Sequence, residues 1–186
     1  MGILENKRLL ITGVLTDSSL AFGVAQLALA EGAEVVITGA GRGLRLTERT
    51  AKKLDGDVEV MEFDVTDPDH VSQIRNSLSE KWGNVDGALH AIGFMPEIGL
   101  GEDFLEGQWE DLSVGFEISA YSLKTIAEAV CPLMPNGGSI VGLDFDASYA
   151  WPAYNWMGVA KAALESASRY LARSLGPNNV RVNLVA

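Results

Sequence analysis

Short apolar runs alternate with longer amphipathic segments along the whole chain. Continuous apolar runs such as Val35-Val36-Ile37 are typical of strands that are buried on both faces. The longer segments, most of which end at a glycine, are typical of helices. Strands are therefore predicted at residues 8–12, 34–38, 58–63, 86–92, 139–143 and 180–185. Helices are predicted at residues 19–31, 44–54, 70–82, 112–130 and 154–175.

The order of these elements predicts an α/β fold. A strand is followed by a helix five times over, which favours right-handed crossovers and a parallel sheet between two helical layers. We therefore expect a Rossmann-type, doubly wound sheet of six strands, with ligands beyond the carboxyl ends of the strands. No repeat or linker divides residues 1–186, so they are predicted to form one dinucleotide-binding domain. The last strand would leave an apolar edge, which proteins usually cover, and we expect the domain to be incomplete at its C-terminus.

Composition and charge exclude several classes of protein. The chain has 186 residues, of which 47% are hydrophobic and 21% charged, as in globular domains. With a single cysteine, Cys131, and two histidines, a disulfide scaffold or a Cys/His zinc site is not expected. The net charge of −11 disfavours nucleic acid and anionic lipid as partners. Because neither a membrane-spanning run of about 20 apolar residues nor a signal peptide is recognisable, we expect a cytoplasmic protein.

The turn after the first strand is a candidate phosphate site. Gly13 permits a sharp exit from the strand, and Ser18 or Ser19 can cap the following helix. Free N–H groups at the start of that helix would attract a diphosphate. Any strand-to-helix junction also needs small residues, so the turn alone leaves phosphate binding and a purely structural role open. Asp17, an awkward neighbour for a phosphate, is predicted to help cap the helix.

The ends of the second and third strands bear on the rest of a dinucleotide. No carboxylate follows the second strand to bind ribose hydroxyls. Arg42 there could pair with a 2′-phosphate or be a solvated loop cation, and we favour the second, so the choice between NADH and NADPH stays open. Asp64, followed by Val65, could accept from an adenine amino group. A turn or helix cap through Asp67 and Pro68 explains that neighbourhood equally well.

The fourth strand ends in a segment that could lie against a ring. Gly93 would let a ring approach the backbone closely, and Ile92 and Phe94 could form the walls around it. His90 lies in an apolar run and is predicted to be a core histidine without a catalytic role.

Tyr154 and Lys161 are the candidate catalytic pair. Seven residues of helix turn through roughly 700°, so the two side chains share one face. Helical side chains lean toward the N-terminus, which carries the Lys161 ammonium toward Tyr154. A cation there would favour the phenolate and support a tyrosine that donates to a developing oxyanion. The alternative is a buried tyrosine and a surface lysine on an ordinary amphipathic helix.

Taken together, these motifs resemble the enoyl-acyl-carrier-protein reductases, a branch of the short-chain dehydrogenase/reductase superfamily. That family has Gly-x5-Ser in the first turn, matched by Gly13 and Ser19, and His-Ser-Ile-Gly-Phe after the fourth strand, matched by residues 90–94. It has Tyr-x6-Lys, matched by Tyr154 and Lys161, where the wider superfamily has Tyr-x3-Lys. The likeness runs from residue 9 to residue 186, and segments 141–146 and 152–157 resemble the InhA-type members nearly residue for residue.

The resemblance implies NADH-dependent reduction of the trans-2 double bond of enoyl thioesters on acyl-carrier protein, in fatty-acid synthesis, by a homotetramer. It implies catalytic roles for Tyr154 and Lys161, and substrate contacts for Phe145 and Tyr154. The cofactor contacts it implies are Gly13, Ser19, Leu20, Asp64, Val65, Ile92, Gly93, Phe94 and Lys161. A reductase of ketones or 3-ketoacyl thioesters on the same scaffold is an alternative, and so is a nucleotide-binding module without turnover.

Three departures from the family pattern qualify these expectations. Ala91 stands where the family usually has serine, so cofactor binding is expected to be weaker by about 1 kcal/mol, one net hydrogen bond. Ala40 stands where InhA-type members have a phenylalanine against the adenosine. Family members also continue beyond the sixth strand with a substrate lid and another strand, so we expect little activity from residues 1–186 alone.

Overall fold

The computed structural model describes residues 2–101 and 103–186. The strands are Arg8–Thr12 (β1), Glu34–Gly39 (β2), Glu59–Glu62 (β3), Gly87–His90 (β4), Gly138–Leu143 (β5) and Val180–Val185 (β6). The helices are Leu20–Ala30 (α1), Gly41–Ala51 (α2), Pro68–Trp82 (α3), Trp109–Phe116 (α4), Ser122–Val130 (α5) and Asn155–Leu175 (α6). Single turns of 3₁₀ helix cover Glu97–Gly99, Cys131–Leu133 and Gly176–Asn178.

The six strands form one parallel sheet in the order β3-β2-β1-β4-β5-β6. This confirms the predicted Rossmann-type, doubly wound sheet. The strand order reverses between β1 and β4, where Leu10 pairs with Val36 on one side and with Ala88 on the other. In such sheets the crevice at this reversal, beyond the carboxyl ends of the strands, is where ligands bind.

Alternate residues of the central strands enter two separate cores, as the period of a strand requires. Leu10, Val36 and Ile140 face a core shared with α3, α5 and α6. Ile11 and Ile37 face the opposite core, shared with α1 and α2. The helices therefore cover both faces of the sheet, in the three layers that were predicted.

Two of the predicted helices differ from their predicted bounds by three residues or more, and the others by one or two residues. α2 begins at Gly41, three residues before the predicted start at residue 44, so Arg42 lies in its first turn and is not a loop residue. The helix predicted at 112–130 begins earlier, at Trp109, and a π-helical stretch, Glu117–Tyr121, separates α4 from α5. Hydrophobic spacing does not reveal such a stretch, because the one extra residue in the turn shifts the helical face only locally.

Within the described residues, no helix combines the length and the apolar character needed to cross a membrane. The same residues contain no group of three or more histidine, cysteine or acidic side chains placed to hold a metal ion.

Candidate active site

Gly13 brings the turn after β1 against the end of β4. Its φ is +83°, and a Cβ added there would lie 2.0 Å from the carbonyl oxygen of Ala91. A side chain is excluded both by the left-handed backbone and by this contact. Thr12 completes the junction, because its Oγ1 donates to the Leu89 carbonyl (2.9 Å) and accepts from the Ala91 amide (3.1 Å). Gly13 and the segment after His90 therefore lie side by side at the strand-order reversal.

The start of α1 lies next to this junction. Ser19 occupies the N-cap position, but its hydroxyl donates to the Thr16 carbonyl (2.6 Å) and makes no capping bond. Ser19 therefore has the predicted N-cap position, but the predicted capping hydrogen bond is absent. The predicted capping role of Asp17 is also wrong, because Ser19 occupies the N-cap position and no side-chain capping bond is formed there; the Asp17 Oδ2 pairs instead with Lys53 Nζ at 2.5 Å. Helix amides here keep the capacity to bind an anion, beside the exposed side chain of Leu20.

Ser119 fastens the segment that follows β4. Its Oγ accepts from the Phe94 amide (2.8 Å) and donates to the Phe94 carbonyl (2.7 Å). Gly93 and Phe94 are thereby held at the surface while Ile92 packs on the core. Ser119 belongs to the π-helical stretch, a feature often found at functional sites. The sequence pattern does not single out Ser119, because a serine within a helix is common and commonly bonds only to its own helix.

Asp64 lies beyond β3 in a tight local turn. Its Oδ1 accepts from the backbone amide (3.0 Å) and the hydroxyl (2.7 Å) of Thr66. Asp67 caps α3 by accepting from the Asp69 amide at 2.9 Å. The structural role predicted for this stretch is thus present, Val65 packs against the core beside it, and a contact of Asp64 with adenine stays a prediction.

His90 is fully buried at the end of β4. Its Nε2 lies 2.6 Å from Ser122 Oγ, and Ser122 donates to the Ile118 carbonyl at 2.6 Å. Because the single hydroxyl proton is used there, His90 Nε2 must be the donor and Nδ1 the unprotonated nitrogen. Burial, and then the charge of Lys161, lowers the pKa of His90 to about 4. His90 is thus a core histidine, as predicted, but its hydrogen bonding is not fully satisfied, because within the described residues only Nε2 has a partner.

Lys161 is buried against the carboxyl end of β5, with only 8% of its surface exposed. Its Nζ donates to the Leu143 carbonyl at 2.9 Å and lies 3.9 Å from Asp144 Oδ1. Burial lowers the pKa of Lys161, and the charge of Asp144 acts in the opposite direction. An ordinary amphipathic helix would place this lysine at the surface, so the alternative of a surface lysine is excluded.

Tyr154 lies immediately before α6 and is 43% exposed. Its ring packs on Phe145, with centroids 4.1 Å apart and planes inclined by 44°. The neighbours Ala153 and Asn155 both have left-handed backbones, with φ of +66° and +45°. The chain thus turns sharply on each side of Tyr154, immediately before the helix begins. Non-glycine residues in this conformation are strained, and such strain concentrates at functional sites.

The candidate pair converges on three consecutive residues, Leu143 to Phe145. Leu143 and Asp144 contact the Lys161 ammonium, and Phe145 contacts the Tyr154 ring. Tyr154 also borders a cavity of about 730 Å³. The cavity wall is largely aromatic and apolar and includes Phe104, Tyr149, Trp151 and Val159. An exposed phenol thus faces an apolar cavity while a buried ammonium lies beside the end of β5.

These features define a class of protein. A parallel doubly wound sheet, a glycine-dependent turn before α1, and a tyrosine and lysine at the start of α6 are the arrangement of the short-chain dehydrogenases/reductases. A family model described as "Enoyl-(Acyl carrier protein) reductase" matches residues 13–186, and the chain belongs to that family.

Three relatives illustrate the match. The chain is 48% identical over 189 residues to an enoyl-acyl-carrier-protein reductase (NADH) of Mycolicibacterium smegmatis. It is 45% identical over 189 residues to one of Mycobacterium avium, and in both cases all of this chain aligns with 70% of the relative. A third, the enoyl-acyl-carrier-protein reductase (NADH) FabI of Rickettsia conorii, is 39% identical over 186 residues, with 100% of this chain and 72% of the relative aligned.

Proposed function

We propose that this protein reduces the trans-2 double bond of enoyl thioesters on acyl-carrier protein, using NADH, in fatty-acid biosynthesis. The observation that carries the proposal is the convergence of Tyr154 and Lys161 on the carboxyl end of β5. The names of the relatives, all NADH-dependent enoyl-acyl-carrier-protein reductases, support both the reaction and the reductant.

The residues at the strand-order reversal fit a dinucleotide. A Cβ at Gly13 would clash with the Ala91 carbonyl oxygen, so glycine is what brings the turn after β1 against the end of β4, and the adjoining α1 terminus offers amides to a diphosphate. The residues proposed to hold NADH are Gly13, Ser19, Leu20, Asp64, Val65, Ile92, Gly93, Phe94 and Lys161. When bound, NADH supplies a hydride to the β-carbon of the enoyl thioester.

Tyr154 and Lys161 would supply the electrostatic part of catalysis. Negative charge gathers on the thioester oxygen when the β-carbon is reduced, and the Tyr154 hydroxyl would donate a hydrogen bond to that oxygen. Lys161 would hold the nicotinamide ribose hydroxyls. A preorganised donor in a site that excludes water lowers the barrier more than the same donor does in water.

The acyl chain would lie in the apolar cavity beside Tyr154. Phe145 packs on the Tyr154 ring, so it would set the angle at which the thioester meets the phenol. The cavity wall offers aromatic and aliphatic surface, which suits a hydrocarbon chain because burying apolar surface is favourable.

The experiment that tests this function is the Tyr154→Phe variant of the full gene product, assayed by NADH absorbance with a 2-enoyl thioester. We expect kcat to fall by about 10²- to 10³-fold, the usual effect of removing one oxyanion donor, with NADH affinity retained. The matched control is Tyr170→Phe, an exposed tyrosine on the same helix, which should leave kcat unchanged. Unchanged turnover in Tyr154→Phe would remove Tyr154 from the mechanism.

The same assay separates the alternative activities. Preference for a 3-ketoacyl over a 2-enoyl thioester would favour a ketone reductase, and binding without turnover would favour a nucleotide-binding module. Comparing NADH with NADPH tests Arg42, the exposed cation in the first turn of α2. We expect NADH to be preferred, since a solvated arginine contributes little to binding.

We also propose that the protein is cytoplasmic and that it forms a homotetramer, as its resemblance to the enoyl-acyl-carrier-protein reductases implies. Large apolar side chains are exposed on α4 and the adjoining π-helical stretch, including Trp109 and Tyr121, as expected where subunits meet. Light scattering after size exclusion measures the assembly, and a monomeric mass at micromolar concentration would contradict it.

A further inference from the structure

The side chain of Asp144 is buried beside the candidate active site. Only 3% of it is exposed, and its backbone amide donates to the Val185 carbonyl of β6 at 2.7 Å. Among residues 2–101 and 103–186, no donor makes a hydrogen bond to its Oδ1, which lies 3.9 Å from Lys161 Nζ. A buried carboxylate costs stability unless an opposite charge or hydrogen bonds compensate it. Lys161 is the cation that faces Asp144.

The ammonium of Lys161 has three N–H donors. One of them is used by the Leu143 carbonyl, at 2.9 Å. A second can be directed toward Asp144, which leaves the third for groups in the site. The carbonyl fixes a position but carries no net charge, so the electrostatic compensation of Lys161 falls to Asp144.

The other titratable groups around this pair do not provide that compensation. His90 on β4 is neutral at physiological pH because burial lowers its pKa to about 4. Asp144 raises the pKa of Lys161, and neither Glu165 on α6 nor the exposed Asp146 contributes to it. Burial raises the pKa of Asp144, and Glu165 and Asp146 raise it further while Lys161 lowers it; Asp146 is already bonded to Ser148. The Tyr154 ring packs on Phe145 and not on Asp144.

We propose that Asp144 is a positioning residue for the reductase, which holds the Lys161 ammonium in place and keeps it charged for cofactor binding. The inference rests on the proposed function, since it assumes that Lys161 contacts the bound dinucleotide. In this role Asp144 acts through Lys161 and makes no contact of its own with substrate. Its position is fixed by β6 and its charge acts through Lys161 alone.

The test is Asp144→Asn, which keeps the size of the side chain and removes its charge. The matched control is Asp146→Asn, which removes the same charge two residues away at the surface and keeps an oxygen for Ser148. NADH affinity of each variant is measured by fluorescence between pH 6 and pH 10. An opposite charge at this range shifts a pKa by about one unit or more. We therefore expect Asp144→Asn to lose affinity at a pH about one unit lower than the wild type and Asp146→Asn do.

Two further measurements distinguish the outcomes. The pKa of Lys161 is read directly by NMR of isotope-labelled lysine, with Lys161→Met to assign the signal, and it should be lower in Asp144→Asn. This readout requires no turnover, so it remains informative if the enoyl reductase function is wrong. In the Lys161→Met background, Asp144→Asn should change NADH affinity by less than about twofold, since coupled residues do not act additively. An unchanged Lys161 titration in a folded Asp144→Asn protein overturns the proposal, as does an equal loss of NADH affinity in the Lys161→Met background.

Discussion

Replacing Gly13 by alanine should both destabilise the fold and disturb the cofactor turn. The left-handed backbone at φ +83° costs an alanine about 1–2 kcal/mol, partly offset by the smaller entropy of the unfolded chain. The new Cβ would also lie 2.0 Å from the Ala91 carbonyl oxygen. That atom belongs to backbone held by Thr12, so relieving the overlap should cost about 3 kcal/mol. The total of about 4 kcal/mol is a large part of the stability of an ordinary domain.

Two other glycines separate these contributions. Gly83, which ends α3, has a φ of +75° and open space around its Cβ position, so Gly83→Ala should cost only about 1 kcal/mol. Gly23, inside α1, has neither a positive φ nor a neighbour within 4 Å, and Gly23→Ala should stabilise by about 0.5–1 kcal/mol.

Urea unfolding of the three variants measures these differences directly. With a slope of about 2 kcal/mol per M, Gly13→Ala should lower the midpoint by about 2 M and Gly83→Ala by about 0.5 M. NADH affinity should fall at least tenfold in Gly13→Ala alone. If Gly13→Ala and Gly83→Ala unfold at the same midpoint, the contact with Ala91 is not a real constraint and the reasoning fails.

Two further predictions concern buried polar groups. Burial lowers the pKa of His90 from an ordinary 6.5 to about 4 in the folded protein, so the stability it contributes is complete above pH 6.5 and is lost as pH falls to 4. Between pH 6.5 and pH 4 the free energy of unfolding of the wild type should fall by about 3 kcal/mol more than that of His90→Gln, which has no imidazole to protonate. An equal pH dependence of the two proteins would contradict this prediction. Ser119→Ala removes both bonds to Phe94 and should cost about 1–3 kcal/mol. Ser113→Ala, whose hydroxyl bond is exposed, should cost less than about 0.5 kcal/mol, and similar costs for the two serines would refute the assignment.

The strand and helix order could be read from the sequence because it depends on local periodicity. The bounds of β1 and β6 agree with prediction to the residue. The segments predicted at 58–63 and 86–92 are longer than β3 and β4. Their apolar ends continue past the last ladder bonds, where the chain leaves the sheet to form the site. Apolar character alone therefore marks burial but does not mark where pairing stops.

The candidate site was only partly readable in the same way. Tyr154, Lys161 and Gly13 could be singled out because spacing and glycine chemistry are local properties. Asp144 and Ser119 could not, since an aspartate after a strand and a serine in a helix are common. Their roles depend on Lys161 and Phe94, which lie 17 and 25 residues away.

What the sequence determined by itself is the alternation of elements, and with it the parallel sheet and the edge at which the site lies. These follow from hydrophobic period and backbone conformation, which act over a few residues. Only the tertiary structure decided that the lysine is buried, that the tyrosine is exposed, and that a carboxylate compensates the lysine. The physical reason is that burial and charge compensation arise from packing between β5, β6 and α6. Residues in these elements are far apart in the sequence, so a pattern that extends over a few residues cannot predict which of them will be packed together and buried.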